Sequence, residues 1–284
     1  MNVLSALMHW ARQLGWALLM SLGLTALAAG QAKAQSRSCY PNDVPAPIVT
    51  QTTVTLIDLT TPAGETFDGL VAHLLRQPAA GRHVVLSFSA LGGGEQLRKV
   101  FDAALHAMPT AELQRTLPVR LVKAIQRCVQ QEATQFPSAL EQAMRRVRAK
   151  TDGQNYKRSE VLHALHEALS AFTGTPGQVS FYVFSDGLQN GEGPKAMSFY
   201  NDRGAPRTID FKRELARLPE SIKTLPPRTA PVQLTWVGLG LQPSTSGHVS
   251  AQALQSWKDF WHELLVSYWN IPEPAILQSL ISSR

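Results

Sequence analysis

The sequence predicts an α/β fold: a doubly wound, mostly parallel sheet flanked by helices, with one antiparallel edge strand. Two observations point there. Short apolar runs rich in β-branched residues alternate along the chain with segments of helical period. Strands alternating with helices in this way imply a mostly parallel sheet covered on both faces. Apolar residues make up 44% of 284, an ordinary share for a globular protein and too high for a disordered one.

The elements follow in order. "TTVTLIDL" (52–59) and "HVVLSFSAL" (83–91) read as the first two strands. Between them, "ETFDGLVAHLLRQ" places Phe67, Leu70, Val71 and Leu74 on one helical face. "LGGGE" (91–95) reads as a flexible loop, because no Gly-Lys-Ser/Thr follows to make it a phosphate cradle. "QLRKVFDAALH" (96–106) is compatible with a helix or an antiparallel edge strand, and the strand is preferred. A helical zone spans about 117–150 with an expected interruption near Pro137. A further helix covers about 159–173 and stops at "TGTPG". "QVSFYVFSD" (178–186) and "VQLTWVGLG" (232–240) are the remaining strands. The Gly-, Pro- and charge-rich segment 190–230 reads as a surface excursion with one short helix near 210–217. The last helix lies in "AQALQSWKDFWHELLVSYW" (251–269), where Trp257, Phe260, Trp261 and Leu264 form a core face, and core packing of its aromatics is preferred over docking a partner.

The first 34 residues stand apart. They hold Arg12, an apolar stretch from about Gly15 to Ala29, no acidic residue, and Ala32-Lys33-Ala34 at the end. That is the pattern of a secretory signal peptide cleaved near Ala34, and the apolar stretch is short for a membrane span. The expected organisation is a signal peptide (1–34), an extended arm (35–50) and one domain (51–284), with no membrane span after cleavage and a periplasmic or secreted destination. Without Arg12 and Lys33 the chain has 25 basic and 21 acidic residues, a mild net charge of about +4 that gives no reason to expect nucleic acid. "RRVRAK" (145–150) lacks interleaved aromatics for base stacking and reads as a solvated helix face. Cys39 and Cys128 are the two cysteines. In an oxidising compartment a bridge between them is favoured over two buried thiols, and closing so long a loop is worth about 4 kcal/mol in the chain-entropy model.

Ligands of a parallel sheet bind at the carboxyl ends of its strands. Asp58-Leu59-Thr60-Thr61-Pro62 follows the first strand, Ser185-Asp186-Gly187 a later one, and Ser159 opens a helix. Two carboxylates and several hydroxyls suit a hard divalent cation such as magnesium. In these residues the sequence resembles the von Willebrand factor A-domain family. That family carries Asp-x-Ser-x-Ser after its first strand, a Thr-Asp pair opening a later helix and an Asp-Gly after its fourth strand. Asp58 and Thr60 match the first two positions. Ser159-Glu160-Val161-Leu162-His163-Ala164-Leu165 is similar to the helix opening, and Asp186-Gly187 to the last motif. "LTWVGLG" is similar to the family's closing strand, and the likeness runs from about residue 50 to 270 in order.

The resemblance implies a metal-ion-dependent adhesion site with Asp58, Thr60, Ser159 and Asp186 around Mg²⁺ or Mn²⁺. It also implies a protein that catalyses nothing and binds another protein, whose acidic side chain completes the coordination shell; with the leader, the reading is of an exported one. The function suggested by analogy lies in envelope or secretion-machinery assembly. Pro62 stands where the family has its second serine, and Thr61, as the adjacent residue, is expected to point elsewhere. Two alternatives accompany this reading. One is an extracytoplasmic hydrolase using Ser185 or the strand-end carboxylates, although Val183 obstructs a Gly-x-Ser-x-Gly elbow in "VFSDG". The other is a degenerate domain that binds its partner without metal, through 190–230. His163, His166 and Glu167 fit neither zinc-peptidase helix pattern and read as surface residues.

Overall fold

A computed structural model gives the fold, and it describes residues 38–48, 50–76, 78–89, 97–153, 159–191, 197–201, 205–241 and 249–277. The predicted signal peptide and the "LGGGE" loop lie outside them. Six strands form one sheet: β1 (Gln51–Asp58), β2 (Gly81–Phe88), β3 (Arg98–Leu105), β4 (Gln178–Phe184), β5 (Val232–Val237) and β6 (Ala275–Leu277). Their spatial order is β3-β2-β1-β4-β5-β6. All neighbouring pairs are parallel except β2 and β3, which are antiparallel. The mostly parallel sheet with an antiparallel edge is as expected from the sequence. Strand β6 was not, since three residues carry too little pattern to read.

Helices cover both faces. On one, α4 (Val161–Ala171) and α7 (Ala251–Glu263, running on as a π turn through Leu264–Tyr268) pack against Val54, Leu56, Phe181, Val183 and Trp236. On the other, α1 (Glu65–Arg76) and part of α3 (Val119–Gly153) cover Ile57, Val85 and Phe184. The alternation within β1, Leu56 to one side and Ile57 to the other, is the period of two that a strand imposes. A short helix, α2 (Ala111–Thr116), precedes α3 and is capped by Thr110, whose hydroxyl accepts from the Leu113 N–H.

Helix α3 does not break at Pro137 but runs through it. Phe136, Leu140, Met144 and Val147 recur at helical spacing and are all buried in the second cluster, so packing outweighs the hydrogen bond that the proline removes. The earlier half of α3 has another task. Ile125 and Val129 pack against Cys39, Tyr40 and Val44 of the arm, and the Cys39–Cys128 disulfide ties the arm to that half.

Segment 190–230 covers more than it was expected to. Met197, Phe199, Ile209, Leu218 and Ile222 are buried in the first cluster. The segment holds α5 (Phe211–Arg217) and a second short helix, α6 (Glu220–Lys223). Glu214 on α5 has no exposure and meets three guanidiniums, from Arg207, Arg213 and Arg217, at 3.0–3.3 Å. The final aromatics are equally committed. Trp257, Phe260 and Trp261 have no exposure, so no aromatic area of α7 is left over for a partner among these three.

Candidate functional site

The chain winds outward from β1 through β2 to β3, then returns to place β4 on the other flank of β1. The crevice between β1 and β4 is therefore the point where strand order reverses, the natural binding position of an open α/β sheet. Ile57 pairs with Phe184, so the residues immediately following, Asp58 and Ser185, emerge side by side. Both lie on the face covered by α4, whose N-terminal approach brings in Ser159.

The contacts follow from that register. Asp58 has no exposure. Its Oδ1 accepts from the Thr60 N–H at 2.8 Å and the Thr60 hydroxyl at 2.6 Å. Its Oδ2 accepts from the hydroxyls of Ser185 at 2.8 Å and Ser159 at 3.1 Å. Asp186, also buried, accepts from the Leu188 N–H at 2.9 Å, and its own N–H donates to the Thr61 hydroxyl at 2.8 Å. All four predicted residues, Asp58, Thr60, Ser159 and Asp186, thus gather at one strand-end crevice.

Two residues behave differently from expectation. Thr61 does not point elsewhere: a turn in which its N–H donates to the Asp58 carbonyl bends it inward, and it is fully buried. Ser185, which the sequence offers only as an alternative nucleophile, instead donates its hydroxyl to Asp58 and accepts from the Gly187 N–H. Among the described residues no histidine hydrogen-bonds to Ser185, and the residue has no exposure. Gln189 was not singled out by the sequence. Its Oε1 accepts from the Leu162 N–H and thereby satisfies the first turn of α4.

The turn is locked from behind by tryptophans. The Trp236 indole N–H donates to the Ser185 carbonyl at 2.9 Å and that of Trp261 to the Gly187 carbonyl at 3.0 Å. Gly187 has φ of +74°, and a Cβ there would lie 2.1 Å from the Leu239 side chain. Only glycine can turn away from the site here.

The electrostatics are unbalanced. Burial pushes the Asp58 carboxyl above its ordinary range, while the Thr60, Ser185 and Ser159 hydrogen bonds oppose the shift. Burial and then the neighbouring charge of Asp58 push Asp186 well above the usual carboxylate range, against the pull of the Leu188 N–H. The nearby Tyr200 hydroxyl is pushed up to about 12 by burial and by the same two carboxylates. Among the described residues neither Asp58 nor Asp186 is paired with a lysine, arginine or histidine. The donors are two carboxylates ringed by hydroxyls, all hard oxygen, with no thiolate or imidazole. This set fits magnesium or manganese.

Elsewhere, His166 bonds to the Thr224 carbonyl and His163 to Glu160, which leaves no zinc-peptidase arrangement on α4. Arg145 and Arg148 of the basic run pair with Glu141 and Asp68 on a solvated flank. Among the described residues no helix is long and apolar enough to cross a membrane.

The architecture defines a six-stranded mixed α/β sheet with a strand-end crevice, and it is compatible with a von Willebrand factor A-like fold. No family model matches the chain, and no curated protein matches it in sequence. Among solved structures, the human COPII-coat protein Sec24c is similar at 13% identity, over 85% of this chain and 30% of that one, with a TM-score of 0.34. The chain spans about a third of the length of that protein.

Proposed function

We propose that the protein is an exported, non-enzymatic binding module that holds a divalent cation at Asp58, Thr60, Ser159 and Asp186, and through it another protein. The observation that carries this reading is the buried pair of carboxylates with no basic counter-charge among the described residues. Two like charges brought out of water together are relieved by a proton on one carboxyl or by a bound cation, and the hard oxygen donors around this pair favour the cation. When bound, the cation supplies an electrophilic position for a partner's acidic side chain. The chain's own residues do the rest. Ser159 and Ser185 orient Asp58, Thr61 fixes the backbone at Asp186, and Gly187 clears the opening. Pro62 brings no hydroxyl, but the inward turn of Thr61 places one in the same crevice. A periplasmic setting, with a role in envelope or secretion-machinery assembly, agrees with the signal-like leader.

Calorimetric titration of the mature chain with Mg²⁺ and Mn²⁺ tests the proposal. The expected result is one site in the wild type and none in Asp58→Ala or Asp186→Ala. At one hundred times Kd, Mg²⁺ raises unfolding free energy by roughly 2.7 kcal/mol. Equal titration by wild type and both variants overturns the metal reading.

A further inference from the structure

The disulfide corner carries a second set of metal-ligating side chains. Cys128 and Glu132 are four apart on α3 and share one helix face. His106 follows directly on β3, and its Nδ1 lies 2.9 Å from the Glu132 carboxylate. Ligand atoms of Cys39, His106 and Glu132 lie within 4.8 Å of one another. Cys128 is disulfide-bonded to Cys39 with Cα atoms 5.4 Å apart, so on reduction its thiol stands beside the group formed by Cys39, His106 and Glu132. Tyr40 shields one side: its ring lies 5.9 Å from that of His106, and its hydroxyl donates to the Ala107 carbonyl.

Two thiolates, an imidazole and a carboxylate make a tetrahedral zinc donor set. In the oxidised chain the set is closed, because disulfide sulfurs carry no thiolate charge and metals bind the thiolate. From this geometry we infer that reduction of the Cys39–Cys128 disulfide opens a zinc site formed by Cys39, Cys128, His106 and Glu132. A dithiol reductant delivers two electrons and two protons: the S–S bond breaks, two thiols form, and the reductant departs as its own disulfide. Zinc binding then displaces the two thiol protons to solvent. The arm stays anchored to α3 in both states, covalently in one and through the metal in the other. This site is separate from the strand-end crevice, which contributes none of its ligands.

The test compares zinc uptake by the full chain before and after reduction, with zinc itself as the probe. Zinc held at the strand-end crevice appears in both states and cancels. Reduction is expected to add one zinc per chain. Cobalt substitution of the reduced chain is expected to show a thiolate-to-metal charge-transfer band. His106→Ala and Glu132→Gln, which leave the disulfide intact for folding, are each expected to weaken the added site at least about ten-fold. No added zinc on reduction overturns the proposal. So does undiminished affinity in both variants, which would mean thiols alone capture the metal. Loss of the far-ultraviolet circular dichroism of the reduced chain, unrestored by zinc, also counts against it.

Discussion

Two buried carboxylate sites in this molecule are treated in opposite ways. Glu214 is sealed and surrounded by Arg207, Arg213 and Arg217, so its charge is overcompensated by its own protein. Asp58 and Asp186 are buried just as well but face hydroxyls, backbone N–H groups and each other. Hydrogen bonds can orient a carboxylate, but they do not supply net positive charge. The first arrangement closes on itself and needs nothing from solution. The second leaves its charge to be relieved by a proton or, on the proposed reading, by a cation. Burial alone therefore does not single out a candidate functional acid; burial without a counter-charge is what makes Asp58 and Asp186 candidates.

Substitutions that remove one carboxyl at a time break the comparison most directly. Glu214→Ala leaves three guanidiniums around an empty place and is expected to cost about 3 kcal/mol, seen as a lower urea midpoint. Thr61→Val orphans the buried Asp186 N–H and is expected to cost about 2 kcal/mol by the same measurement, whatever the magnesium concentration. Asp186→Asn has the opposite sign. It keeps an acceptor for the Leu188 N–H but removes the repulsion with Asp58, so the metal-free chain is expected to gain about 1 kcal/mol. The same variant loses the magnesium-dependent stabilisation. A melting series in chelator and in magnesium reads both effects, and destabilisation in chelator would show that the Asp58–Asp186 pair is settled by the protein alone.

The smallest expected effect comes from a buried group outside both sites. His83 is pushed below its ordinary value by burial, partly opposed by its bond to the Ala79 carbonyl. As pH falls through 6.5, the unfolded chain takes up a proton that the folded chain still refuses. The contribution of neutral His83 is thus complete above that pH and is lost below it. Between about pH 7 and about pH 5.5 the expected loss is under about 1 kcal/mol. His83→Gln should flatten that slope while leaving the magnesium response intact.

Strands β1, β2, β4 and β5 were legible as short stretches rich in apolar and β-branched residues between helical patterns, whereas the β3 sequence was also compatible with a helix. Helix α3 was misjudged at Pro137, since the gain from burying Phe136 and Leu140 arises from the sheet and leaves no trace in local propensity. Within the site, Asp58, Thr60, Ser159 and Asp186 could be found by position after a strand or before a helix. Ser185 and Thr61 also follow strands, but position alone did not reveal their contacts with Asp58 and Asp186. Their roles depend on the register of β1 against β4 and on the turn after β1, both set by tertiary structure. The Ile57–Phe184 pairing would have revealed Ser185 once the strands were known to be neighbours.

The two tryptophans behind the site give it an optical consequence. Trp236 and Trp261 grip the carbonyls on either side of Asp186, and their rings lie 4.8 Å apart at 47°. Transition dipoles that close and that inclined couple as an exciton pair. Any shift of the Ser185–Gly187 turn changes the coupling, so the molecule carries its own chiroptical gauge of the turn's conformation, readable without a label.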